Sequence, residues 1–282
     1  MDTTGKTSRI TGGVDTHKDT HTAAALDATG RVLGNATFPA SAVGYAELLT
    51  WLRSFGELDR VGVEGTGSYG SGLTRHLRGS GVLVVEVNRP NRQARRQHGK
   101  SDPADAEAAA RATLSRAASG VPKSQDGAVE VIRMLRLERR SAIHARTQAA
   151  NQLHAVVSTA PEPLRTNLRD LSLVALLGHA RKLHDVVPTD TVSATQQVLR
   201  GLTARWRHLD REVDHLDAQL ETLVKTAAAD LVALRGVGID VAGALLVAAG
   251  DNPERLAHEA SFAALCGVSP VDASSGRQHR HR

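Results

Sequence analysis

Four carboxylates in this chain sit where they could meet. Asp15 ends the apolar run RITGGVD, Glu64 ends RVGVE, and Asp102 and Asp105 open the stretch DPADAEAAAR. Two acids at i and i+3 at the start of a helix lie on one face, and acids at the ends of neighbouring strands project from one sheet edge. Four such groups at one point repel one another unless a cation neutralises them. Hard oxygen ligands with open water positions suit Mg²⁺, and two such ions roughly 4 Å apart activate a nucleophile and stabilise the leaving oxygen in phosphoryl transfer. Each acid also has a plainer role. Asp102 before Pro103 reads as a helix N-cap with Pro at N1, Asp105 at N3 completes a capping pattern, Asp15 could cap a turn, and Glu64 could hydrogen-bond the following glycine loop. Their joint occurrence at two strand ends and one helix start favours the metal reading.

Other motifs compete. Gly65, Gly67 and Gly70 spell GTGSYG after a strand and before a helix, and Glu86 lies about 20 residues further on, the spacing of a dinucleotide fingerprint. Against an oxidoreductase stands Glu64, whose charge would face a pyrophosphate, and the strand is not the first of its sheet. His17 and His21 in HKDTH are four apart but lack the glutamate of a zinc helix, and read as surface or metal-adjacent. Cys266, in FAALCGV, reads as core. As the single cysteine it excludes intramolecular disulfides and Cys-rich zinc sites, which suits a reducing compartment. Ser274–Ser275–Gly276 alone is only a turn signal.

The elements that must position these groups change along the chain. Three β-like runs over residues 10–38, with turn chemistry at Asp27–Gly30, predict a hairpin meander. A helical pattern over 42–55, a strand at 60–64, a helix at 69–78 and a strand at 82–87 follow, the order of an RNase H-like α/β domain over 8–120 in which the first and fourth strands are neighbours. Long helical patterns cover 125–158 and 195–228. In the second, Leu202, Trp206, Leu209, Val213, Leu216, Leu220 and Leu223 alternate four- and three-residue steps, a coiled-coil seam that could pair within the chain or across a dimer. A connector at 121–228 and a small α-helical C-terminal domain at 229–282 are therefore expected. LRGVGIDVAGALLVAAGD (234–251) reads either as a helix-hairpin-helix offering N–H groups to phosphate or as a plain αα-hairpin.

Composition narrows the partners. The 282 residues carry a net charge of +5 with most bases Arg, which fits a polyanion. Only 2% are aromatic, which excludes base stacking as the main binding chemistry. Arg133, Arg136 and Arg140, with Arg139 and Arg146 nearby, give the first long helix a basic face. It is either simply solvated or, since few acids neutralise it, a phosphate-backbone contact. The first ten residues lack a signal-peptide apolar region and no apolar run approaches a membrane span, so a cytoplasmic, nucleoid-associated protein is expected.

Taken together, VDTHKDTH (14–21), VEGTGSYG (63–70), NRPNRQARRQHGKSDPADAEAAAR (88–111), the LRGVG hairpin (234–246) and FAALCGVSPVDASSG (262–276) resemble the DEDD-type transposases of bridge-RNA-guided insertion sequences, over nearly the whole chain. The resemblance implies a RuvC-like, RNase H-fold domain, a coiled-coil connector and a transposase domain with a nucleophilic serine. It implies Asp15, Glu64, Asp102 and Asp105 as the catalytic, Mg²⁺-binding acids and Ser275, with Ser274 as the alternative, as the group that attacks a DNA phosphodiester. Donor and target DNA and a structured guide RNA are the implied partners, and a homodimer or higher oligomer through the coiled coil the implied assembly. Arg95, Arg96, Arg139 and Arg140 become phosphate contacts. Family chains continue beyond the SSG motif with a basic helical segment, so this chain is expected to be C-terminally truncated, and a catalytically inactive nucleic-acid-binding remnant is the competing expectation.

Overall fold

A computed structural model of the chain describes residues 8–87, 101–184, 187–252, 256, 258–270, 278 and 280. They fall into two compact units, 127–248 and the remainder.

The first unit is built on a mixed five-stranded sheet. Strands β1 (Arg9–Thr16), β2 (Thr20–Asp27) and β3 (Val32–Pro39) form the expected antiparallel meander. β1 also runs parallel to β4 (Glu57–Glu64), and β4 parallel to β5 (Leu83–Val87), giving the order β3-β2-β1-β4-β5. This is consistent with an RNase H-like α/β domain. The β2–β3 turn is held by Asp27, whose Oδ1 accepts from the backbone N–H groups of Thr29 at 2.9 Å and Arg31 at 3.0 Å.

Both faces of the central strands are covered, so β1 and β2 each bury six consecutive residues and read in sequence as continuous apolar runs. On one face lie α1 (Ala42–Arg53), capped by Ser41, and α2 (Ser71–Gly79). Leu48, Leu52, Leu73 and Leu77 from these helices pack on Ile10, Val14, Val61 and Val63 of the sheet. Four of the aromatics, Phe38, Tyr45, Trp51 and Phe55, flank this core. On the opposite face lies α3 (Asp102–Leu114), whose Ala106, Ala109 and Ala110 are buried. Gly13 and Gly62, paired in the β1–β4 register, leave room for it: a Cβ on Gly13 would collide with the backbone of Ala106 and Ala110, and one on Gly62 with Thr113 and the carbonyl of Ala109. Glycine opposite alanine brings helix and sheet together at backbone distance.

The second unit is helical. Its two long helices, α4 (Ala128–Ser158) and α7 (Thr191–Ala227), run antiparallel, since Arg139 pairs with Asp217 and Arg146, seven residues on, pairs with Asp210, seven residues back. Val213, Leu216 and Leu220 of the heptad seam are buried, and Leu202, Trp206, Leu209 and Leu223 half-buried, so the long helix fits a coiled-coil pattern satisfied within the chain. The segment between them folds as α5 (Leu164–Leu168) and α6 (Leu173–Ala180), whose Leu168 and Leu176 close an apolar cluster with Leu153 of α4 and Leu199 of α7. After α7 come α8 (Ala229–Ala233), a turn with Gly236 at φ +87°, and α9 (Ile239–Ala249), an αα-hairpin tied to α4 where Arg136 Nη1 donates to the Asp240 carbonyl at 2.7 Å.

The last described helix is α10 (Glu259–Leu265). Cys266, expected in the core, is exposed, because it follows the end of α10, where Phe262 and Leu265 themselves stay more than 40% exposed. No described helix is long and apolar enough to cross a membrane.

Candidate active site

Side chains alternate along a strand, so Asp15 shares the α3 face with Gly13, and Glu64 shares it with Gly62. The register ends at Val14 with Val63, and the two acids lie one step beyond, on adjacent parallel strands. Thr16 strengthens that junction: its Oγ1 donates to the Glu64 carbonyl at 2.8 Å. Because α3 rests directly on Gly13 and Gly62, its first turn arrives at the same end of the sheet carrying Asp102 and Asp105. Two further bonds fix α3 over the meander, Asn35 Nδ2 to Glu107 Oε1 at 2.8 Å and Arg111 Nη1 to the Gly30 carbonyl at 2.8 Å.

Asp15, Glu64 and Asp105 are each at most 8% exposed, whereas the Asp102 side chain is half-exposed. Burial holds the Asp15 carboxyl above its ordinary range; His17 opposes this and the nearby charges of Asp105 and Asp102 reinforce it. A group of acids under that electrostatic load is one that a cation relieves. The donor set agrees: oxygens of Asp15 and Asp102 and a ring nitrogen of His17 all lie within 4.8 Å of one another.

Sequence reasoning misassigned the cap of α3. Ser101, not Asp102, is the N-cap, its Oγ accepting from the Ala104 N–H at 3.4 Å, so Asp102 is the first helical residue and Asp105 the fourth. The Asp102 carboxylate is thereby released from capping and turned towards His17, at 3.4 Å. His17, which the sequence reads as surface or metal-adjacent, has its Nε2 3.0 Å from Asp15 Oδ2. It stands just past the end of β1, in the turn to β2, where alternation along the strand does not reach it.

His21 is not at the surface. It is fully buried on the α1 face, stacked on Tyr45 at 5.5 Å, with Nδ1 3.0 Å from the Thr20 carbonyl, and burial lowers its pKa. The glycine loop closes on itself: Gly65, at φ +70°, accepts through its carbonyl from Ser68 N–H at 2.9 Å and Gly70 N–H at 3.0 Å. Thr66 donates to Glu86 Oε1 at 2.8 Å, so the acid that a dinucleotide site would turn towards a ribose engages the loop instead.

The basic face of α4 is largely neutralised, which corrects the expectation of few acids near it. Arg133 pairs with Glu130, Arg136 with Asp240, Arg139 with Asp217 and Arg146 with Asp210, and Arg146 also lies over the Trp206 ring at 5.9 Å. Arg140 is exposed, with no ion pair among the described residues. Arg95, Arg96, Ser274 and Ser275 lie outside the described residues.

Residues 12–160, more than half the chain, match the IS110 DEDD transposase family. The chain belongs to that family. Residues 228–282 match a second description, transposase of the IS116/IS110/IS902 family. No curated protein matches the chain. As an IS110-family transposase the chain is an enzyme of DNA transposition and recombination in an insertion sequence. DEDD transposases generally depend on divalent metal, and the Asp15–His17–Asp102 cluster lies within the matched segment.

Proposed function

We propose that this IS110-family chain joins DNA strands by Mg²⁺-dependent phosphoryl transfer, with Asp15, Glu64, Asp102 and Asp105 as the metal-binding acids and Ser275 as the nucleophile. The observation that carries the metal half is the meeting of Asp15 with Asp102 and Asp105 at one end of the sheet, in a pocket of charge that burial makes unfavourable without a cation. Asp15, Glu64, Asp102 and Asp105 would hold the ion, which would supply positive charge for a phosphoryl oxygen and for the leaving oxygen. The chain's own residues do the rest. β1 and β4 carry Asp15 and Glu64 one step beyond their last registered pair, α3 brings two more acids to the same end of the sheet, and the close helix–sheet packing keeps that geometry rigid. The Ser275 hydroxyl, weak by itself, would lose its proton to a general base and attack the phosphodiester in line; the Oγ–P bond forms as the P–O bond to one strand breaks, and that strand's oxygen takes up a proton, giving a phosphoserine link and a free 3′ or 5′ hydroxyl.

Donor and target DNA are chosen, on this reading, by a structured guide RNA encoded with the element, as the family resemblance implies. Arg140, with Arg95 and Arg96, contacts phosphate rather than bases, which fits a chain with few aromatics to stack on. A homodimer or higher oligomer through the coiled coil is part of this reading, with Leu202, Trp206, Leu209 and Leu223, which the fold leaves half-buried, as the part of the α7 seam open to a partner. The site of action is the nucleoid.

The test is strand transfer with purified protein, the element's RNA, donor and target DNA, and Mg²⁺. Glu64→Gln or Asp102→Asn should lower product by roughly a hundredfold or more. Ser275→Ala should abolish the covalent protein–DNA adduct while leaving DNA binding intact. An adduct that survives Ser275→Ala would remove the serine assignment.

A further inference from the structure

We propose that His17 is a direct nitrogen ligand in the metal site, so that the site is a mixed carboxylate–imidazole centre that binds Mn²⁺ more tightly than Mg²⁺. The inference rests on the metal reading of the carboxylate cluster and adds a residue outside the four acids.

Three observations carry it. The first is distance. His17 Nε2 stands 3.0 Å from Asp15 Oδ2 and 3.4 Å from Asp102 Oδ1. Ligand atoms roughly 2.1 Å from an ion with octahedral geometry lie roughly 3.0 Å apart when adjacent, so the imidazole and the Asp15 oxygen are already spaced as neighbouring ligands. The second is placement. His17 lies in the β1–β2 turn, where its N–H donates to the Thr20 carbonyl at 2.9 Å, and the neighbouring Thr16 is fixed to β4 through the Glu64 carbonyl. The ring is thus presented by a short hairpin closed on both sides, not by a free loop. The third is access. The Asp15 side chain is 9% exposed, but those of His17 and Asp102 are 46% and 49% exposed, so the cluster is anchored on its protein side and open on its solvent side, where water and a phosphate oxygen would complete the shell.

The donor chemistry then sets the preference. Carboxylate oxygens accept Mg²⁺ and Mn²⁺ alike, but Mg²⁺ is a hard ion that takes oxygen and keeps its waters, whereas Mn²⁺, although also an oxygen-ligand ion, tolerates a nitrogen in its shell more readily. Replacing one oxygen of an all-oxygen site with nitrogen therefore favours Mn²⁺. A competing role for His17 is to hydrogen-bond Asp15 and orient it from outside the shell, and that role leaves no nitrogen on the metal.

Pulsed electron paramagnetic resonance of the full chain with Mn²⁺ alone separates the two. A directly bound imidazole gives a ¹⁴N hyperfine coupling, which should change to a ¹⁵N pattern in protein grown with ¹⁵N-histidine and vanish in His17→Ala. Titration calorimetry should show Mn²⁺ binding at least about tenfold tighter than Mg²⁺, the ratio falling to within about threefold in His17→Ala. His17→Asp, which restores an oxygen, should recover Mg²⁺ binding but not the coupling. Bound Mn²⁺ without histidine coupling, or coupling that persists in His17→Ala, would overturn the proposal. If neither ion binds the wild-type chain, the metal reading fails with it, a result that calorimetry distinguishes from loss of the nitrogen ligand. The spectroscopic measurement on labelled wild-type protein stands even if His17→Ala does not fold.

Discussion

A Cβ placed on Gly13 would stand 2.6 Å from the Cα of Ala110 and nearer still to its backbone nitrogen. The acids at the end of β1 and those at the start of α3 meet because this contact is missing one carbon. Gly13→Ala should therefore force α3 off the sheet, since the obstacle is backbone and cannot rotate away. The expected loss is roughly 3 kcal/mol or more, the upper range for overpacking. Gly12→Ala, whose Cβ would meet only side-chain atoms, of Leu52 at 3.1 Å and Val61 at 3.2 Å, should cost markedly less. Thermal denaturation of the two variants side by side checks this, and equal losses would refute the close-approach account.

Asp15 is buried among other carboxylates, so it should work against folding until a cation arrives. Asp15→Asn is expected to raise the melting temperature of the metal-free protein and to abolish the further rise that Mg²⁺ gives the wild type. Melting curves with and without Mg²⁺ read both effects. A wild-type protein indifferent to Mg²⁺, or an Asp15→Asn variant less stable without metal, would contradict it.

What sequence could reveal here depended on range. Asp15 and Glu64 were legible because strand ends are marked by local apolar runs, and the order of strands made β1 and β4 neighbours. The length of β4 was understated because its start, Glu57–Asp59, is polar, and tertiary pairing with β1 overrides that composition. His17 was hidden because a histidine in a turn looks like any solvated residue until Asp102, 85 positions away, is folded against it. The same holds for the arginines of α4. Of the acids in their own stretch, Glu130 and Glu138, only Glu130 pairs with one of them among the described residues, while Asp210, Asp217 and Asp240 come from 64 to 104 residues further on.

That rearrangement divides the arginines by task. Arg139, held by Asp217, should act on stability: Arg139→Ala is expected to cost roughly 0.5 to 1 kcal/mol, as for a partly exposed pair, and to leave nucleic-acid affinity nearly unchanged. Arg140, exposed one residue on, should do the reverse. Arg140→Ala is expected to weaken binding to any DNA or RNA sequence alike and to lower the salt slope of log K by about one. Chemical denaturation and salt-dependent binding of both variants measure the split. Equal effects on affinity would return α4 to the picture of one uniform phosphate-binding face.

The start of α7 gives a pH-dependent contrast of defined sign. Asp190 caps the helix, accepting from the Ser193 N–H at 2.7 Å and hydroxyl at 2.8 Å, and these bonds hold its carboxyl below the ordinary carboxylate value. A depressed folded-state pKa contributes stability that is fully present above the unfolded value, about 3.9, and that fades as pH falls through the folded one. Asp190→Ala should therefore melt earlier than wild type at neutral pH, with the gap narrowing only below about pH 4. Asp190→Asn, which caps without titrating, should melt close to wild type at neutral pH and keep its stability relative to Asp190→Ala at acid pH, where the wild type loses its advantage. Circular dichroism melts of the three proteins from pH 7 to pH 3 decide it, because a cap that worked through side-chain packing alone would show the same gap throughout.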